Sequence, residues 1–315
     1  MGYRVSIIGA GSVGLCLAVH FAKAGAEVTL LARKKSIKTL TGKAFTSSGL
    51  LADHASTPGQ IHISDADAPD DRALDCDMLV VTTKAFDVAK VLIPYADVAS
   101  VGAVLLMQNG LGSADLARTA LGPSVPIYST AMMIGMVRRS PTDVEVTAHS
   151  SPVLCGPLLS DDDAPLRKML DVAAGGFVPM ERDEKIEDTI LFKLLFNSCM
   201  NPTGALTGLN YGGLLENPHT RDLIVDLAQE ALQAFHARGY RPAASGQEYV
   251  DTILSKIIFP RSAGHKSSML QDLDAGRITE VDFLNGAIVK LAADAGLTAP
   301  KHEAIVSLIH AQETT

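Results

Sequence analysis

The stretch RVSIIGAGSVG, residues 4–14, decides the fold of the amino-terminal half of the chain. It begins with a short apolar run rich in β-branched residues, which predicts a β-strand. Glycines at G-x-G-x-x-G spacing follow at once, and the apolar residues of the next segment recur with helical periodicity. A strand, a glycine-rich turn and a helix in this order predict a doubly wound α/β domain that binds a dinucleotide.

Each glycine of the turn has its own expected role. Gly9 allows the tight turn, Gly11 lets a pyrophosphate approach the backbone, and Gly14 lets the helix pack closely on the strand. The phosphates would lie at the amino terminus of the helix. The residues predicted to bind the cofactor here are Gly9, Ala10, Gly11, Ser12, Val13 and Gly14.

The end of the second strand predicts which nicotinamide cofactor is used. A site for NAD usually places Asp or Glu at this position, whereas Arg accommodates the 2′-phosphate of NADP. Here the strand at residues 27–31 is followed by Ala-Arg-Lys-Lys, with no acid. A guanidinium suits phosphate binding, so we expect NADP (NADPH), with Arg33 as the phosphate ligand. The alternative interpretation is a basic loop that only faces solvent.

Composition limits the classes of function. The chain has 315 residues, 47% of them hydrophobic and 20% charged, which fits a globular protein with room for two domains. A net charge of -8 argues against a nucleic-acid partner. The four cysteines are scattered without metal-ligand spacing, so we expect no metal and a reducing compartment. Without a signal segment or a membrane-length apolar run, the predicted location is cytoplasmic, away from the membrane.

Two further buried strands are predicted at residues 78–82 and 103–107. They end in Thr82-Thr83-Lys84 and Gln108-Asn109-Gly110, and ligands bind outside the carboxyl ends of such strands, so both tips are candidate site positions. Residues 127–137 and 143–147 flank a turn and are expected to extend the same sheet as an antiparallel hairpin.

The pattern becomes helical near residue 184. Asn217-Pro218 is expected to cap and open a helix that ends at Gly239, and Asp282 to begin one that Gly296 ends. The predicted fold is therefore α/β, with a Rossmann-like doubly wound sheet followed by an all-α carboxyl-terminal domain. We expect residues 1–183 to form the NADP-binding domain and residues 184–315 the helical substrate and catalytic domain.

Lys193, Asn197 and Asn201 stand four residues apart in an otherwise apolar segment. On a helix they share one face, where an ammonium and two carboxamides can bind one small anion. The alternative is a core helix whose polar groups are satisfied internally. Because Asn201 precedes Pro202, we also expect a kink or break that turns this carboxamide toward a ligand.

These motifs together resemble the ketopantoate reductase family (2-dehydropantoate 2-reductase) over nearly the whole chain. The resemblance rests on the glycine turn, Asn109-Gly110, the Lys193 series, and HKSSMLQD at 265–272 leading to TEVDFLNG at 279–286. It implies an NADPH-dependent enzyme with the two domains described above. The chain departs from the family at Leu191, where a tryptophan often stands, and at Gln108.

The resemblance also implies a role for individual residues. Lys193 is the expected proton donor to the ketone oxygen, and Glu280 is expected to face both the cofactor and Lys193. The residues expected to bind the substrate are Asn109, Asn197, Asn201 and Ser268. Those expected near the cofactor, besides the glycine turn and Arg33, are Lys84, Asn109, Ile134 and Glu280.

The chemistry of the residues agrees with these roles. Hydride delivery to a 2-keto acid leaves negative charge on the former carbonyl oxygen, which a positioned ammonium can stabilise and protonate. A nearby carboxylate favours the charged form of the lysine. The predicted function is NADPH-dependent reduction of 2-dehydropantoate to pantoate. A reductase of another 2-keto acid and a noncatalytic NADP sensor are the alternatives. The expected partner is a small anionic 2-keto acid. The sequence leaves open whether the chain forms a homodimer.

Overall fold

A computed structural model describes residues 2–96, 98, 100–160, 162–258 and 263–313. The chain divides into two compact units. The first comprises Met1–Gln108 and Ser113–Glu187, and the second comprises Asn109–Gly112 and Asp188–Thr315. A four-residue segment at the tip of a strand thus belongs with the carboxyl-terminal half, which the sequence did not indicate.

The first unit alternates strands with short helices. Its strands are β1 (Arg4–Ile8), β2 (Glu27–Ala32), β3 (Thr46–Gly49), β4 (His54–Ala55), β5 (His62–Asp65), β6 (Met78–Val81), β7 (Val104–Leu106), β8 (Ile127–Ala131), β9 (Ile134–Ser140), β10 (Asp143–His149), β11 (Val153–Leu159) and β12 (Met180–Arg182). Its α-helices are α1 (Ser12–Lys23), α2 (Lys34–Leu40), α3 (Asp71–Leu74), α4 (Val88–Leu92), α5 (Ser113–Leu121) and α6 (Ala164–Ala173), with 3₁₀ turns at Ala85–Asp87 and Ile93–Tyr95.

Among the described residues, eight strands form the main sheet in the order β12-β11-β8-β7-β6-β1-β2-β5. From β1 the chain moves outward through β2 to β5, and from β6 it moves the other way, so the strand order reverses between β1 and β6. Neighbouring strands from β5 to β8 run parallel, and β11 is antiparallel to β8. The predicted doubly wound α/β sheet is confirmed, and its reversal point is where such sheets bind ligands.

Alternate residues of the central strands pack on opposite faces of this sheet. Ile7 and Leu30 belong to the hydrophobic cluster on one face, whereas Ile8 and Leu31 belong to the cluster on the other. All four side chains are fully or almost fully buried. Burial on both faces explains why these strands are continuously apolar in sequence instead of alternating.

The predicted antiparallel hairpin is wrong in part. Residues 127–131 form β8 of the main sheet, but β9 and β10 pair antiparallel in a separate four-stranded sheet, ordered β4-β3-β10-β9. There β10 pairs parallel with β3, so the second sheet depends on a contact between distant parts of the chain. Pairing over such a sequence distance leaves no local signal in the residues 127–147.

In the second unit, all the regular secondary structure of the described residues is helical. Its elements are α7 (Ile186–Thr207), which begins within the first unit, α8 (Tyr211–Glu216), α9 (Pro218–Ala237), α10 (Gly246–Glu248), a π-helix (Tyr249–Ile258), α11 (Ser268–Asp274), α12 (Val281–Asp294) and α13 (Pro300–Glu313). As predicted, Asn217 caps α9, since its side chain accepts hydrogen bonds from the backbone N–H groups of His219 and Thr220. No helix in the described part of the chain is long and apolar enough to span a bilayer.

The helix α7 continues through Pro202, so the predicted break at this residue is wrong. Proline lacks the N–H that would bond to the carbonyl four residues earlier, which is that of Ser198. Asn285 of α12 supplies the missing donor, because its Nδ2 donates to the Ser198 carbonyl oxygen at 2.9 Å. A side chain from another helix therefore stabilises α7 at the proline.

The same carboxamide extends this network to α13. Asn285 Nδ2 lies 3.0 Å from His302 Nδ1, and His302 Nε2 donates to the carbonyl of Leu227 at 2.9 Å. Burial lowers the pKa of His302 to about 4, so the imidazole is neutral at physiological pH. With Nε2 carrying the proton, Nδ1 is an acceptor, and both N–H groups of Asn285 have partners.

Candidate active site

The glycine turn of the first unit has the shape required for a phosphate. Gly9 adopts φ +112°, in the region that favours glycine, and a Cβ there would lie 2.7 Å from Thr82 Oγ1. A Cβ on Gly14 would lie 1.8 Å from the carbonyl oxygen of Gly9, so only glycine permits this packing. By contrast, no atom lies within 4 Å of the Cβ position of Gly11. The backbone at Gly11 is open, as a pyrophosphate needs.

The side chain of Thr82, directly after β6, stabilises this turn. Thr82 Oγ1 donates to the carbonyl oxygens of Ile8 and Gly9 at 2.9 and 3.0 Å. Gly11, at the N-cap of α1, has no side chain to cap the N–H groups of the first turn. Those N–H groups and the helix dipole favour an anion at this end of α1. The residues present therefore fit the phosphates of a dinucleotide.

Hydrogen bonds join the residues that follow β6 and β7 at the same edge of the sheet. Gln108 Nε2 donates to the carbonyl oxygens of Val81 and Thr83 at 2.8 and 3.0 Å. Lys84 follows β6 at the N-cap of the 3₁₀ turn Ala85–Asp87. Ile134 is buried at the start of β9, in the smaller sheet.

Arg33 stands directly after β2, at the N-cap of α2. Its side chain is 75% exposed, and its Nη2 lies 3.9 Å from Asp87 Oδ2. Asp87 has no sequence signal for this contact, because it lies in the 3₁₀ turn Ala85–Asp87, far from Arg33 in the chain. An exposed guanidinium is accessible to a phosphate, although the neighbouring carboxylate competes for it.

Lys193 and Asn109 come together within the second unit. Lys193 Nζ donates to Asn109 Oδ1 at 2.7 Å. The Asn109 segment is anchored on α12, since the N–H of Leu111 donates to the carbonyl oxygen of Phe283 at 3.0 Å. Gly110 adopts φ +81°, and a Cβ there would lie 2.0 Å from the same oxygen. Glycine at this position lets the loop reach α12 and place Asn109 beside the lysine.

The electrostatic setting of Lys193 suits proton transfer. Burial lowers the pKa of Lys193 to about 8, and the negative charge of Glu280 opposes part of this shift. Glu280 is itself 9% exposed and stands at the N-cap of α12. A pKa near the working pH leaves the ammonium largely charged and makes its proton easier to transfer than that of an ordinary lysine.

Asn197 and Asn201 lie on α7 and are 8% and 4% exposed. Asn201 Oδ1 accepts a hydrogen bond from the hydroxyl of Tyr211 at 2.8 Å, and the Asn201 carbonyl accepts one from Ser267 Oγ at 3.1 Å. For Asn201 Oδ1, the alternative interpretation of an internally satisfied polar group therefore holds. Tyr211 and Ser267 carry no local motif that would have identified these contacts from sequence.

Ser268 is the exposed first residue of α11. Its neighbour Ser267 is the N-cap, because Ser267 Oγ accepts from the N–H of Leu270 at 3.1 Å. The same Ser267 hydroxyl donates to α7, so the start of α11 is fixed relative to Asn201. The structure thus connects the helices that carry Asn201 and Ser268.

Metal-ligand clusters and reactive thiols are two other kinds of site that could carry out chemistry. Among the described residues, no three His, Cys, Asp or Glu side chains are grouped so that they could hold a metal ion. The cysteines at 16, 76, 155 and 199 are buried and free of disulfides. Burial raises the pKa of each thiol, to about 11 for Cys16 and about 12 for the other three. These thiols are therefore not nucleophiles at neutral pH.

Comparison with protein families gives two matches, one in each half of the chain. The family described as "Ketopantoate reductase PanE/ApbA" matches residues 5–158, and "Ketopantoate reductase PanE/ApbA C terminal" matches residues 185–313. The first match covers most of the first unit, and the second covers nearly all of the helical unit. Both units of this chain are therefore found together in one family.

Individual relatives match along their whole lengths. The 2-dehydropantoate 2-reductase of Aquifex aeolicus (strain VF5) is 26% identical over 317 residues, covering 99% of this chain and 98% of that protein. That of Archaeoglobus fulgidus is 27% identical over 315 residues, with the same coverage. A solved structure of D-mandelate dehydrogenase with NADH and anilino(oxo)acetate has a TM-score of 0.82 at 21% identity, covering 99% and 98%. At that identity the structural likeness establishes the fold alone.

Proposed function

This chain belongs to the ketopantoate reductase family of oxidoreductases, and from that membership we propose that it reduces 2-dehydropantoate to pantoate with NADPH. The observation that carries the proposal is the Lys193 ammonium, hydrogen-bonded to Asn109 and with its pKa lowered to about 8. Such a group is an acid suited to a developing alkoxide.

Lys193 acts as the general acid. Reduction adds a hydride to the carbonyl carbon and a proton to the carbonyl oxygen, and Lys193 Nζ gives that proton. Until then its positive charge attracts the ketone oxygen, and Asn109 holds the ammonium in one direction through the 2.7 Å hydrogen bond. Glu280 favours the charged lysine, because its carboxylate raises the pKa against the effect of burial.

The keto acid binds to the polar groups of the helical unit. A 2-keto acid presents carboxylate and ketone oxygens, which only accept hydrogen bonds. Asn197, Asn201 and Ser268 each offer a donor, and together with Lys193 they can bind the carboxylate and the ketone of such a ligand. Since the net charge of the chain is -8, this local ammonium must supply the attraction for the anion.

The cofactor binds to the first unit, where the turn at residues 9–14 fits its pyrophosphate. When bound, NADPH supplies the hydride. Arg33 contacts the 2′-phosphate, which the exposure of its guanidinium supports. Lys84, Asn109, Ile134 and Glu280 are also proposed to contact the cofactor, as the resemblance to the family implies.

A panel of substrates tests the proposal. Oxidation of NADPH and of NADH is measured with 2-dehydropantoate, with a straight-chain 2-keto acid and with an aromatic 2-keto acid. The proposal predicts the highest kcat/KM for 2-dehydropantoate with NADPH. A preference for the aromatic acid or for NADH would instead indicate a reductase like the D-mandelate dehydrogenase that shares the fold. NADPH binding without turnover of any keto acid would indicate a sensor.

A further inference from the structure

Tyr211 makes a buried contact with one of the proposed substrate-binding residues. Its hydroxyl donates to Asn201 Oδ1 at 2.8 Å. Tyr211 is 6% exposed and Asn201 4% exposed, so water competes little for this hydrogen bond. Tyr211 is the first residue of α8, while Asn201 lies on α7. The contact therefore joins two helices at the residue proposed to bind the keto acid.

The tyrosine ring is held on several sides. It packs edge-on against Phe196 of α7, with centroids 5.3 Å apart and ring planes at 89°, and it contacts the ring of His265 at 5.3 Å. The N–H of Tyr211 donates to the carbonyl oxygen of His265 at 3.0 Å. Asn210 caps α8 by accepting from the N–H of Gly213 at 2.9 Å. These contacts fix the position of the hydroxyl.

A fixed phenol determines which way the carboxamide faces. An asparagine side chain has an accepting oxygen at one end and a donating NH₂ group at the other. A buried phenol is stabilised when its proton has an acceptor, which the amide oxygen provides and the NH₂ group cannot. Burial also raises the pKa of Tyr211, so the hydroxyl keeps its proton throughout the ordinary pH range. The Asn201 oxygen is thus held at the tyrosine, leaving its N–H groups to donate elsewhere.

We propose that Tyr211 is a positioning residue that makes the site selective for acids, by holding Asn201 so that its N–H groups meet the keto acid. The inference rests on the proposed function and adds a residue that determines specificity. A carboxylate accepts two such hydrogen bonds, whereas a flipped Asn201 would present its oxygen to the carboxylate and repel it. A neutral 2-keto amide has N–H groups of its own and tolerates both orientations.

Tyr211→Phe removes the hydroxyl and keeps the ring. We expect the KM for the 2-keto acid to rise roughly three- to tenfold, the range for one misdirected hydrogen bond. The KM for the matching 2-keto amide, the KM for NADPH and kcat should change less than about twofold. Tyr249→Phe is the matched control in the same unit, because its buried hydroxyl has no hydrogen-bond partner among the described residues. That variant should behave as the parent protein.

A double-mutant cycle separates positioning from a general structural effect. In an Asn201→Ala background, Tyr211→Phe should leave the KM for the keto acid unchanged, because the carboxamide it acts through is gone. An equal rise in both backgrounds, an equal loss for acid and amide, or no rise at all would overturn the inference. In each of these cases the parent protein still reduces the 2-keto acid, so the proposed function stands and only the role of Tyr211 is overturned. A parent protein that reduces no 2-keto acid would instead overturn both.

Discussion

Pro202 leaves the carbonyl oxygen of Ser198 without its usual backbone donor, and Asn285 donates to that oxygen instead. The role of Asn285 can therefore be tested by changing both residues. Asn285→Leu keeps a similar volume but removes both donors. The carbonyl oxygen of Ser198 and Nδ1 of His302 then lose their partners, and both residues are fully buried. Pro202→Ala restores a backbone N–H at the position that bonds to the Ser198 carbonyl. The two substitutions should therefore interact.

The size of this interaction follows from counting buried acceptors. Each buried polar group left without a partner costs about 1–3 kcal/mol. In the natural chain, Asn285→Leu leaves two such acceptors without a partner. We therefore expect the free energy of opening of α7 to fall by roughly 2–6 kcal/mol. In a Pro202→Ala background, Asn285→Leu leaves only the His302 nitrogen without a partner. The fall in the free energy of opening is then roughly 1–3 kcal/mol. The predicted coupling between the two positions is about 1–3 kcal/mol.

Hydrogen exchange of the α7 amides measures the effect locally. The free energy of opening is taken from exchange rates of peptides that cover α7, so unfolding of the whole chain need not be two-state. Asn217→Ala is the control, because Asn217 caps α9 and has no part in the network. In peptides that cover α9, Asn217→Ala should lower the free energy of opening by about 1 kcal/mol in both backgrounds. Equal losses for Asn285→Leu with and without Pro202 would refute the assignment of Asn285 as the replacement donor.

Three further predictions concern the proposed site. Because the acid must be protonated and burial lowers the pKa of Lys193 to about 8, kcat/KM for the keto acid should fall above that pH. Glu280 raises this pKa, so Glu280→Gln should move the descending limb to lower pH, and a limb that stays in place would contradict the charge effect. Arg33→Ala should raise the KM for NADPH about tenfold or more with little change for NADH, as for loss of one charge-assisted contact. Equal changes with both cofactors would show that Arg33 does not bind the 2′-phosphate.

The fold was predictable because its determinants are local. The role of Gly14 follows from a steric contact within one strand, turn and helix, because a Cβ there would meet the carbonyl oxygen of Gly9. The capping of α9 by Asn217 is also a local pattern and was predicted. Burial on both faces of the central strands left continuous apolar runs that identify a parallel sheet.

The parts that could not be predicted depend on contacts between distant residues. Asn109 was found from its position at a strand tip, but its place in the helical unit depends on Gly110 approaching Phe283. A kink or break was expected at Pro202, but the helix does not break there, and the donor that stabilises it lies on α12. Tyr211 has no motif of its own, and only the structure shows its hydrogen bond to Asn201.

The central claim is that Lys193 gives the proton to the ketone during reduction of a 2-keto acid. Single-turnover oxidation of bound NADPH by 2-dehydropantoate, compared between the natural chain and Lys193→Ala, tests it most directly. We predict a rate lower by roughly two to four orders of magnitude, as for loss of a positioned acid. The Kd for NADPH should stay within about threefold, because the proposed phosphate contacts lie on the first unit. A near-normal rate in Lys193→Ala would contradict the account.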